Sequence, residues 1–370
     1  MATAGLFAPL QIGPLWLRNR IAMAPMTREM ASEGVPSPAM KRYYERRAKG
    51  GVALVIGEGA TVDVCGRFST AVPHFSGDRA LAVWADIVAA VHAEGAAFFP
   101  QLWHVGAFSP TMVDMGQDDS GEPPRLSPSG LAAPGRPHGR AMAPADIDAT
   151  IAAFAAAAAA AYRMGCDGVE VHAAHGYLPD QFLWTGTNAR DDRYGSSIAG
   201  RTRFAAELVC AIKQETAPQF PVSLRISQWK QLDYGARIAT DPAELAAMVE
   251  PLTNAGVDIF HCSTRRFWEA EFVGDPRNLS GWVRALSGRP TITVGSVTLG
   301  VDFKAAGGKA HAASSPEHIA LLEAGLARGD YDMVAIGRAL LANPDWANLV
   351  AAGRADTLRA FDRAVLMTLD

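Results

Sequence analysis

The sequence has few cysteines, and their spacing does not indicate a metal site. The 370 residues include Cys65, Cys166, Cys210 and Cys262. None of them stands in a C-x-x-C pair, so neither a zinc ribbon nor an iron–sulfur cluster is indicated. The first residues also lack the basic start and leucine-rich core of a secretory signal. We therefore expect free thiols in a reducing cytoplasm.

Long apolar runs and an excess of basic charge are also missing. No uncharged apolar run reaches the roughly 20 residues of a membrane-spanning helix. The alanine-rich stretch 151–162 is too short and too weakly apolar, which favours a packed helix. The formal net charge of −4 gives no basic surface for nucleic acid or an anionic membrane. Apolar residues in 355–370 suit either contact with a neighbouring subunit, in a homo-oligomer, or packing within the chain.

What the sequence does contain is a regular alternation of apolar segments and helical segments. Hydrophobic residues make up 49% of the chain and charged residues 19%, enough for a large core. The apolar segments are continuous, as in parallel strands buried on both faces. Predicted strands cover 20–25, 52–56, 96–102, 167–172, 222–226, 258–262, 291–294 and 332–336. Eight such strands, each followed by a helix, predict one (β/α)₈ barrel, or TIM barrel, over residues 1–370.

Two segments depart from this alternation. Residues 1–18 resemble a small hairpin that covers one end of the barrel. After the third strand, residues 103–143 are rich in Gly, Pro, Ser and Asp, and no periodic pattern is visible. Loops of this length inside a compact domain are usually lids or binding loops. A doubly wound fold is disfavoured because no G-x-G-x-x-G motif follows the first strand.

The predicted strand ends carry polar side chains that suit catalysis. Active sites of these barrels lie at the carboxyl ends of the strands. The fourth strand ends in His172 and His175, and Tyr177 follows. Two imidazoles and a phenol at the end of a buried strand form a group of proton donors that water hardly reaches. This stretch therefore predicts a site that binds and protonates a ligand.

The last two strands end in a pattern typical of a phosphate site. Gly295 and Ser296 follow strand seven, and Gly337 and Arg338 follow strand eight. Glycine allows a phosphate to approach backbone N–H groups closely, and arginine adds a bidentate charged contact. Gln101 offers an amide for a pyrimidine edge. Together with Arg225 from strand five, which offers a cation, these residues predict a nucleotide-like cofactor.

With these motifs the sequence resembles the Old Yellow Enzyme family of flavin-dependent ene reductases. The resemblance extends from about residue 6 to residue 343, and its motifs are specific in combination. The matching segments are Arg18-Asn19-Arg20-Ile21, Ala24-Pro25-Met26-Thr27, Gln101-Leu102-Trp103-His104, His172-Ala173-Ala174-His175-Gly176-Tyr177-Leu178, Gln181-Phe182-Leu183, Asn188-Ala189-Arg190 with Asp192, Tyr194 and Gly195, and Gly337-Arg338.

The resemblance implies non-covalent FMN across the barrel mouth, reduced by NADH or NADPH. By position, Thr27 would tune the flavin, Gln101 would contact its pyrimidine, and Arg225 would stabilise the reduced ring. The implied cofactor-binding residues are Pro25, Met26, Thr27, Gly59, Gln101, His172, Arg225, Gly295, Ser296, Gly337 and Arg338.

The implied substrates are small α,β-unsaturated carbonyl or nitro compounds. His172 and His175 would bind the substrate oxygen, and Tyr177 would donate the proton. Trp103 is expected as a pocket wall. For Phe267 and Trp268, after strand six, lining the pocket and packing beneath the loop remain equally open. The implied substrate-binding residues are His172, His175, Tyr177, Trp103, Phe267 and Trp268.

The chain departs from the family pattern just after the histidines. Trp184-Thr185-Gly186 replaces the usual Ser-Pro or Asp-Pro, and the loop differs again up to Gly200. Because this loop is expected to border the active site, we predict that substrate shape differs there. Thr27 and Trp103 match the better-known subgroup, whereas the His-x-x-His pair does not, so the chain is of a mixed type.

Other functions would need different sequence features. The His-x-x-His pair would bind a metal only with a third ligand, and none is evident, so no metal is expected. A phosphate-binding lyase on this fold would need a Schiff-base lysine or a metal at a strand end. An iron–sulfur flavoprotein reductase would need clustered cysteines. A flavin-binding sensor that catalyses nothing is the remaining alternative, and only turnover can exclude it.

Overall fold

The computed structural model describes residues 4–113, 125–297, 299 and 316–369. Within them, eight parallel strands close into a barrel in sequential order, with the eighth paired to the first. They are β1 (Ile21–Met23), β2 (Leu54–Thr61), β3 (Ala97–Trp103), β4 (Val169–His175), β5 (Val222–Lys230), β6 (Ile259–Ser263), β7 (Thr291–Val294) and β8 (Met333–Ile336). The predicted (β/α)₈ barrel is confirmed.

Helices follow the strands and pack around the barrel. They are α1 (Pro38–Lys49), α2 (Asp78–Ala93), α3 (Pro144–Met164), α4 (Leu178–Leu183), α5 (Ile198–Glu215), α6 (Pro242–Asn254), α7 (Leu279–Ser287), α8 (Pro316–Arg328), α9 (Arg338–Ala342) and α10 (Trp346–Ala351). In α2 the side chains of Trp84, Ile87 and Val91 recur on one face and are fully buried. Gly95 then takes a left-handed φ of 72°, which ends the helix.

Helix α3 is the one described helix that is long and apolar enough to cross a membrane. Length and composition alone carry this assignment, and a core helix of a globular protein passes the same test. Half of the apolar window, Pro144–Arg163, is buried inside the protein. Ile147, Phe154 and Ala161 of α3 pack in the main hydrophobic core, as expected for a helix on a barrel.

Three strands extend at least three residues further than the sequence pattern predicted. β2 continues to Thr61, β4 to His175 and β5 to Lys230. Irregular register explains two of these extensions, because the pairing shifts between Ile56 and Gly59 in β2 and near His175 in β4. A bulge of this kind interrupts the apolar pattern without ending the strand. His175 therefore lies within β4, as His172 does, rather than beyond the end of the strand.

The predicted N-terminal hairpin is present and covers the amino-terminal end of the barrel. Strand Leu10–Ile12 pairs antiparallel with Leu15–Leu17. Their apolar side chains pack against residues of the barrel strands. Arg18 then donates to the carbonyl oxygens of Ala48 and Val52, just before β2. The end of the barrel at which β4 carries its histidines is the opposite one.

The segment 103–143 contains regular structure that the sequence did not predict. Leu126–Ser127 pairs with Arg140–Ala141, and Leu131–Ala133 pairs with Arg136–Pro137. These strands are only two or three residues long, too short to produce a periodic pattern. Residues 114–124 of this segment lie outside the described part of the chain, and the role of the segment as a lid stays a prediction.

The C-terminal segment packs within the chain at several points. Leu358 and Phe361 are buried. Arg28, which follows the end of β1, donates through one guanidinium nitrogen to three carbonyl oxygens of this segment, those of Val365, Leu366 and Thr368, at 3.1, 3.1 and 2.6 Å. Leu358 and Phe361 therefore pack within the chain, and contact of the segment with a neighbouring subunit stays a prediction.

Candidate active site

His172, His175 and Tyr177 form a compact group at the carboxyl end of the barrel. The ring of His172 lies 4.8 Å from that of Tyr177 and 5.0 Å from that of His175, measured between centroids. His175 adopts a positive φ of 66°, which is unusual for a residue with a side chain. Strained backbone of this kind is concentrated at functional sites. The structure thus brings together the three residues that the sequence predicted as catalytic.

Trp103, predicted as a pocket wall, packs beside this group. Its ring lies 5.0 Å from Tyr177, edge to face, and 6.1 Å from His172. Phe68 stacks on Trp103 at 5.2 Å, and Phe108 meets Tyr177 at 5.2 Å. The two phenylalanines come from loops after β2 and β3, so they were not apparent at the sequence level. The aromatic residues keep water away from one side of the histidines.

Burial sets the charge state of the two histidines. Burial and the positive charge of Arg225 lower the pKa of His172 and that of His175 well below the ordinary value of 6.5. Both imidazoles are therefore neutral at pH 7, and each has one N–H to donate. Neutral donors suit a ligand oxygen on which negative charge develops only during reaction.

Ser263, the last residue of β6, holds the ring of His175 in place. Its hydroxyl oxygen lies 2.8 Å from Nε2 of His175 and 3.4 Å from a guanidinium nitrogen of Arg225. Because a guanidinium can only donate, Ser263 accepts from Arg225. The hydroxyl keeps a second lone pair and its own proton, so its bond to Nε2 is compatible with either tautomer of His175.

Trp229 is a part of the site that the sequence interpretation missed. Its ring stacks on His175 with 4.3 Å between centroids and 27° between planes. The indole N–H donates to the carbonyl oxygen of Ser263 at 3.1 Å. A cavity of about 170 Å³ lies beside Trp229 and Ser263. Trp229 was missed because β5 was expected to end at Ile226, which placed it outside the strand.

Tyr177 is held by Gln231, which follows β5, and by the turn that precedes α4. Burial raises the pKa of Tyr177 far above 10, although a hydrogen bond with the Gln231 side chain opposes the shift. The turn before α4 is fixed by Asp180, which accepts from the backbone N–H of Gly176 at 2.6 Å. Asp180 in turn forms a fully buried ion pair with Lys230 at 2.6 Å. The phenol therefore stays protonated over the whole physiological range.

Gln101 and Arg225 lie inside the barrel, as predicted for residues that face a cofactor. Gln101 donates through Nε2 to the buried carboxylate of Glu170 at 2.8 Å. Arg225 pairs in register with His172 on one side and His261 on the other. No ion pair between Arg225 and a carboxylate occurs among the residues that the structure describes. Its Nε is buried without a hydrogen-bond partner there.

Three buried polar atoms indicate that the site is built for a bound cofactor. Nδ1 of His172, Nε of Arg225 and Oγ of Ser296 have no hydrogen-bond partner within the described ranges. Unpaired buried polar atoms are costly, and groups of this kind usually receive a ligand or water. Ser296 also has a positive φ of 46°, at the predicted phosphate site. The donors fit the charged phosphate and the polar ring edge of FMN.

Two glycines of the predicted cofactor site leave no room for a side chain. A Cβ on Gly59 would lie 2.4 Å from the ring of Trp103. A Cβ on Gly295 would lie 2.4 Å from the carbonyl oxygen of Thr264, and the φ of 144° at Gly295 itself favours glycine. The close packing at these positions explains their identity without any ligand. Their contact with FMN stays a prediction.

The remaining predicted cofactor residues lie at the ends of β1 and β8. Pro25 and Met26 are half-buried, and Thr27 is exposed, so its hydroxyl is accessible. Gly337 precedes α9, with a Cβ position 3.4 Å from the sulfur of Met26. Arg338 opens α9, and its guanidinium lies 5.9 Å above the ring of Phe361. Their placement at one end of the barrel is compatible with the predicted roles.

Phe267 and Trp268 contact a different part of the structure. Phe267 is buried in the main core, and Trp268 is partly exposed. Both rings pack against His318 of α8, at 6.0 and 4.6 Å. These contacts favour packing beneath the loop for Phe267. A role of either residue in the substrate pocket stays a prediction.

The divergent loop between α4 and α5 is tied to the segment 125–142. Arg190 donates to the carbonyl oxygens of Pro128 and Met142, and Ala189 N donates to Ser129. Arg190 also pairs with Asp192, as expected for a network that fixes a loop. The structure therefore shows a rigid connection, and its influence on substrate shape stays a prediction.

The geometry of the strand ends is that of a barrel enzyme with a cofactor site and an adjoining group of proton donors. No cluster of His, Cys, Asp and Glu residues suited to a metal occurs in the described ranges. The NADH:flavin oxidoreductase / NADH oxidase family matches residues 5–357. The chain therefore belongs to this family, and the resemblance to Old Yellow Enzyme is confirmed. It is an NAD(P)H-dependent flavin oxidoreductase with FMN as cofactor.

Known relatives cover nearly the whole chain. Chanoclavine-I aldehyde reductase from Penicillium roqueforti is 34% identical over 344 residues, which are 92% of this chain and 87% of the relative. Morphinone reductase in complex with tetrahydroNAD is 30% identical, with a TM-score of 0.79 over 98% of this chain and 94% of that one. The Old Yellow Enzyme homologue from Zymomonas mobilis is 25% identical, with a TM-score of 0.78 over 98% and 96%.

Proposed function

We propose that this protein is an ene reductase for small α,β-unsaturated carbonyl or nitro compounds. The observation that carries the proposal is the group of His172, His175 and Tyr177, with ring centroids 4.8 to 6.3 Å apart. Two neutral donors and one protonated phenol beside a flavin site suit the addition of hydride and a proton across an activated double bond. When bound, FMN supplies the hydride that NADH or NADPH has delivered to it.

His172 and His175 bind and polarise the substrate. Hydride reaches the β-carbon only if the negative charge that develops on the carbonyl or nitro oxygen is stabilised. The two imidazoles are fixed in place and are poorly accessible to water, so they act as an oxyanion hole does. Ser263 and Trp229 hold His175, which keeps its donor atom at a constant position. Removal of one such donor typically costs about 100-fold or more in rate.

Tyr177 protonates the α-carbon. Its raised pKa keeps the phenol protonated until an enolate has formed. The enolate is a strong base, so the phenol is then a competent acid. The hydrogen bond with Gln231 stabilises the phenolate that results. Water restores the proton after the product has left.

Several described residues fit a role in holding FMN. Gln101 has hydrogen-bonding capacity beyond its bond to Glu170, and it serves the pyrimidine edge. Arg225 supplies positive charge in the barrel interior, and Thr27 presents an accessible hydroxyl. Ser296 and Arg338 serve the phosphate. These assignments rest on the buried unpaired atoms and on the family to which the chain belongs.

The relatives bear on the substrate class, location and assembly. One is named as an aldehyde reductase and another as morphinone reductase. For this chain we infer a conjugated carbonyl compound as substrate, a cytoplasmic location and assembly into a homo-oligomer. The described cysteines are free, which suits a reducing compartment.

The decisive experiment removes the two oxygen-binding donors. The double variant His172→Ala and His175→Ala should retain FMN, with its absorption near 450 nm, and lose cyclohexenone reduction by at least about 100-fold. A control variant, His92→Ala, removes a surface imidazole at the other end of the barrel, next to Asp167. Full activity of the double variant would refute the polarising role.

A flavin-binding sensor is the second candidate. It would hold FMN through the same residues and would consume no NADPH with an alkene. Steady consumption of NADH or NADPH in the presence of cyclohexenone would exclude it. A phosphate-binding lyase is disfavoured because no metal-binding cluster occurs in the described part of the chain. Lys230, at the end of β5, is held in a buried ion pair with Asp180.

A further inference from the structure

A buried carboxylate lies in the barrel interior beneath the histidines and has no role in the proposed reaction. Glu170 of β4 accepts three hydrogen bonds, all from buried side chains. The donors are Gln101 Nε2 at 2.8 Å, Ser223 Oγ at 3.0 Å and His261 Nδ1 at 2.8 Å. Glu170 itself is fully inaccessible to solvent. A charge in such a place is expensive and is retained only where its partners are well ordered.

Strand register places these residues in two neighbouring layers of the barrel. Glu170 pairs with Gln101 of β3 and with Ser223 of β5, which defines the lower layer. Two residues further along β4, His172 pairs with Arg225, and Arg225 pairs with His261 of β6. Since side chains two residues apart point to the same face, both layers face the barrel interior. The His261 side chain connects the layers, because it reaches Glu170.

Burial and the neighbouring groups determine the charge of Glu170 and that of His261. Burial opposes ionisation of Glu170, but the hydrogen bonds from His261 and Ser223 and the positive charge of Arg225 outweigh it and lower the pKa of Glu170. Burial, together with Arg225, lowers the pKa of His261 despite the nearby Glu170. Nε2 of His261 is buried and lacks a hydrogen-bond partner among the described residues, which disfavours a second ring proton. Glu170 is therefore an anion, and His261 is a neutral donor.

We propose that Glu170 is a positioning residue that sets the reduction potential of the flavin. It orients the amide of Gln101 toward FMN, and it offsets the positive charge of Arg225. This inference rests on the proposed FMN site. With one N–H of Gln101 committed to Glu170, the remaining N–H and the oxygen have one orientation toward the ring edge. The carboxylate lowers the potential, because negative charge disfavours the gain of electrons.

Replacement of Glu170 by glutamine removes the charge with little change of shape. It therefore tests the electrostatic effect of Glu170 on the potential of FMN. Glu170→Gln in the FMN-loaded enzyme should raise the ratio of the affinities for reduced and oxidised FMN about tenfold, which corresponds to about +30 mV in the two-electron midpoint potential. A matched control is Asp258→Asn. Asp258 accepts bonds from Lys213 and Val222 N at the opposite end of the barrel, and its loss should leave the potential unchanged.

A shorter carboxylate at position 170 tests whether Glu170 orients the amide of Gln101. Glu170→Asp keeps the negative charge and withdraws it by one methylene, so the bond to Gln101 is lost. FMN should bind more weakly in this variant, with a potential that is not raised. If the carboxylate were purely structural, both Glu170 variants would change the melting temperature without a specific shift of the potential in Glu170→Gln. That result would overturn the proposal.

His261→Leu gives the same information if Glu170→Gln does not fold. Loss of the imidazole donor raises the pKa of Glu170, so the potential should rise above the wild-type value as the pH is lowered. A potential that parallels that of the wild type at every pH would contradict the inference. The wild-type protein, measured alongside, separates two failures. If it binds FMN and reduces cyclohexenone while the variants keep its potential, only the role of Glu170 is wrong. If it binds no FMN, both proposals fail.

Discussion

The hydroxyl oxygen of Ser263 lies 2.8 Å from Nε2 of His175, and the same oxygen accepts from Arg225 at 3.4 Å. Ser263 therefore links the guanidinium of Arg225 to the imidazole of His175. Since a hydroxyl has one proton and two lone pairs, this contact fixes the position of the ring and is compatible with either tautomer. The position of a candidate catalytic imidazole thus depends on a hydroxyl from β6.

Removal of this hydroxyl should impair substrate binding selectively. In Ser263→Ala the ring of His175 loses this partner, and about 0.5–1.5 kcal/mol of hydrogen bonding is lost. We expect kcat/KM for cyclohexenone to fall about two- to tenfold, with FMN content unchanged. Ser263→Thr keeps the hydroxyl and should stay near the wild type. Equal losses in both variants would indicate a packing effect instead.

Replacement of Tyr177 by phenylalanine should separate the two half-reactions. The phenol is needed only after hydride transfer, when the α-carbon takes its proton. Stopped-flow measurements should show flavin reduction by NADPH nearly unchanged and the alkene half-reaction slowed about 100-fold. Tyr162→Phe, at a half-exposed position of α3, is the control. If both half-reactions slowed equally, Tyr177 would not be the proton donor.

The candidate catalytic group could be predicted from sequence because its members are close in the chain. His172, His175 and Tyr177 come from one strand and the turn after it, so a local motif specified them. The barrel was predictable for a similar reason, since eight continuous apolar segments recur. Neither inference required knowledge of contacts between distant segments.

The residues that support this group could not be predicted in the same way. Ser263, Trp229 and Gln231 reach His175 and Tyr177 from neighbouring strands or from the loop after β5. Their proximity depends on strand register, which a single sequence does not show. Irregular pairing near His175 also extends the contact between β4 and β5 to Lys230. The ion pair of Lys230 with Asp180 arises from this extension.

Glu58 should make stability depend on pH near neutrality. Burial raises the pKa of Glu58 from 4.5 to about 7, while hydrogen bonds from Arg28 N and Tyr44 oppose the shift. A raised carboxyl pKa means that the folded protein binds the proton more tightly than the unfolded chain does. The stabilisation is full below pH 4.5 and is lost as the pH rises through about 7.

The variant Glu58→Gln stays neutral at every pH and tests this dependence. Its free energy of unfolding, relative to the wild type, should increase by up to about 3 kcal/mol between pH 4.5 and pH 8. Chemical denaturation at several pH values measures the difference. Glu215→Gln, at the exposed end of α5, is the control and should show no such trend. A constant difference between variant and wild type would show that Glu58 does not titrate in this range.

The buried ion pair of Lys230 and Asp180 predicts strong coupling between two substitutions. Both side chains are at most 1% exposed, and Asp180 also accepts from Gly176 N in the turn that carries Tyr177. Lys230→Met leaves a buried carboxylate without its cation and should cost about 3–5 kcal/mol. The double variant with Asp180→Asn removes both charges and keeps an oxygen for Gly176. We expect it to regain most of that loss.

A double-mutant cycle on the free energy of unfolding measures the coupling between Lys230 and Asp180. Additive losses would mean that the pair is not a unit. Arg328→Met provides the comparison, because Arg328 pairs with Asp330 while 60% of its side chain is exposed. This variant should lose at most about 1 kcal/mol of stability.

Because Asp180 fixes the turn before α4, the single variant Asp180→Asn should also slow the alkene half-reaction more than flavin reduction. If Asp180→Asn slowed both half-reactions by the same factor, the ion pair would have a role in stability alone.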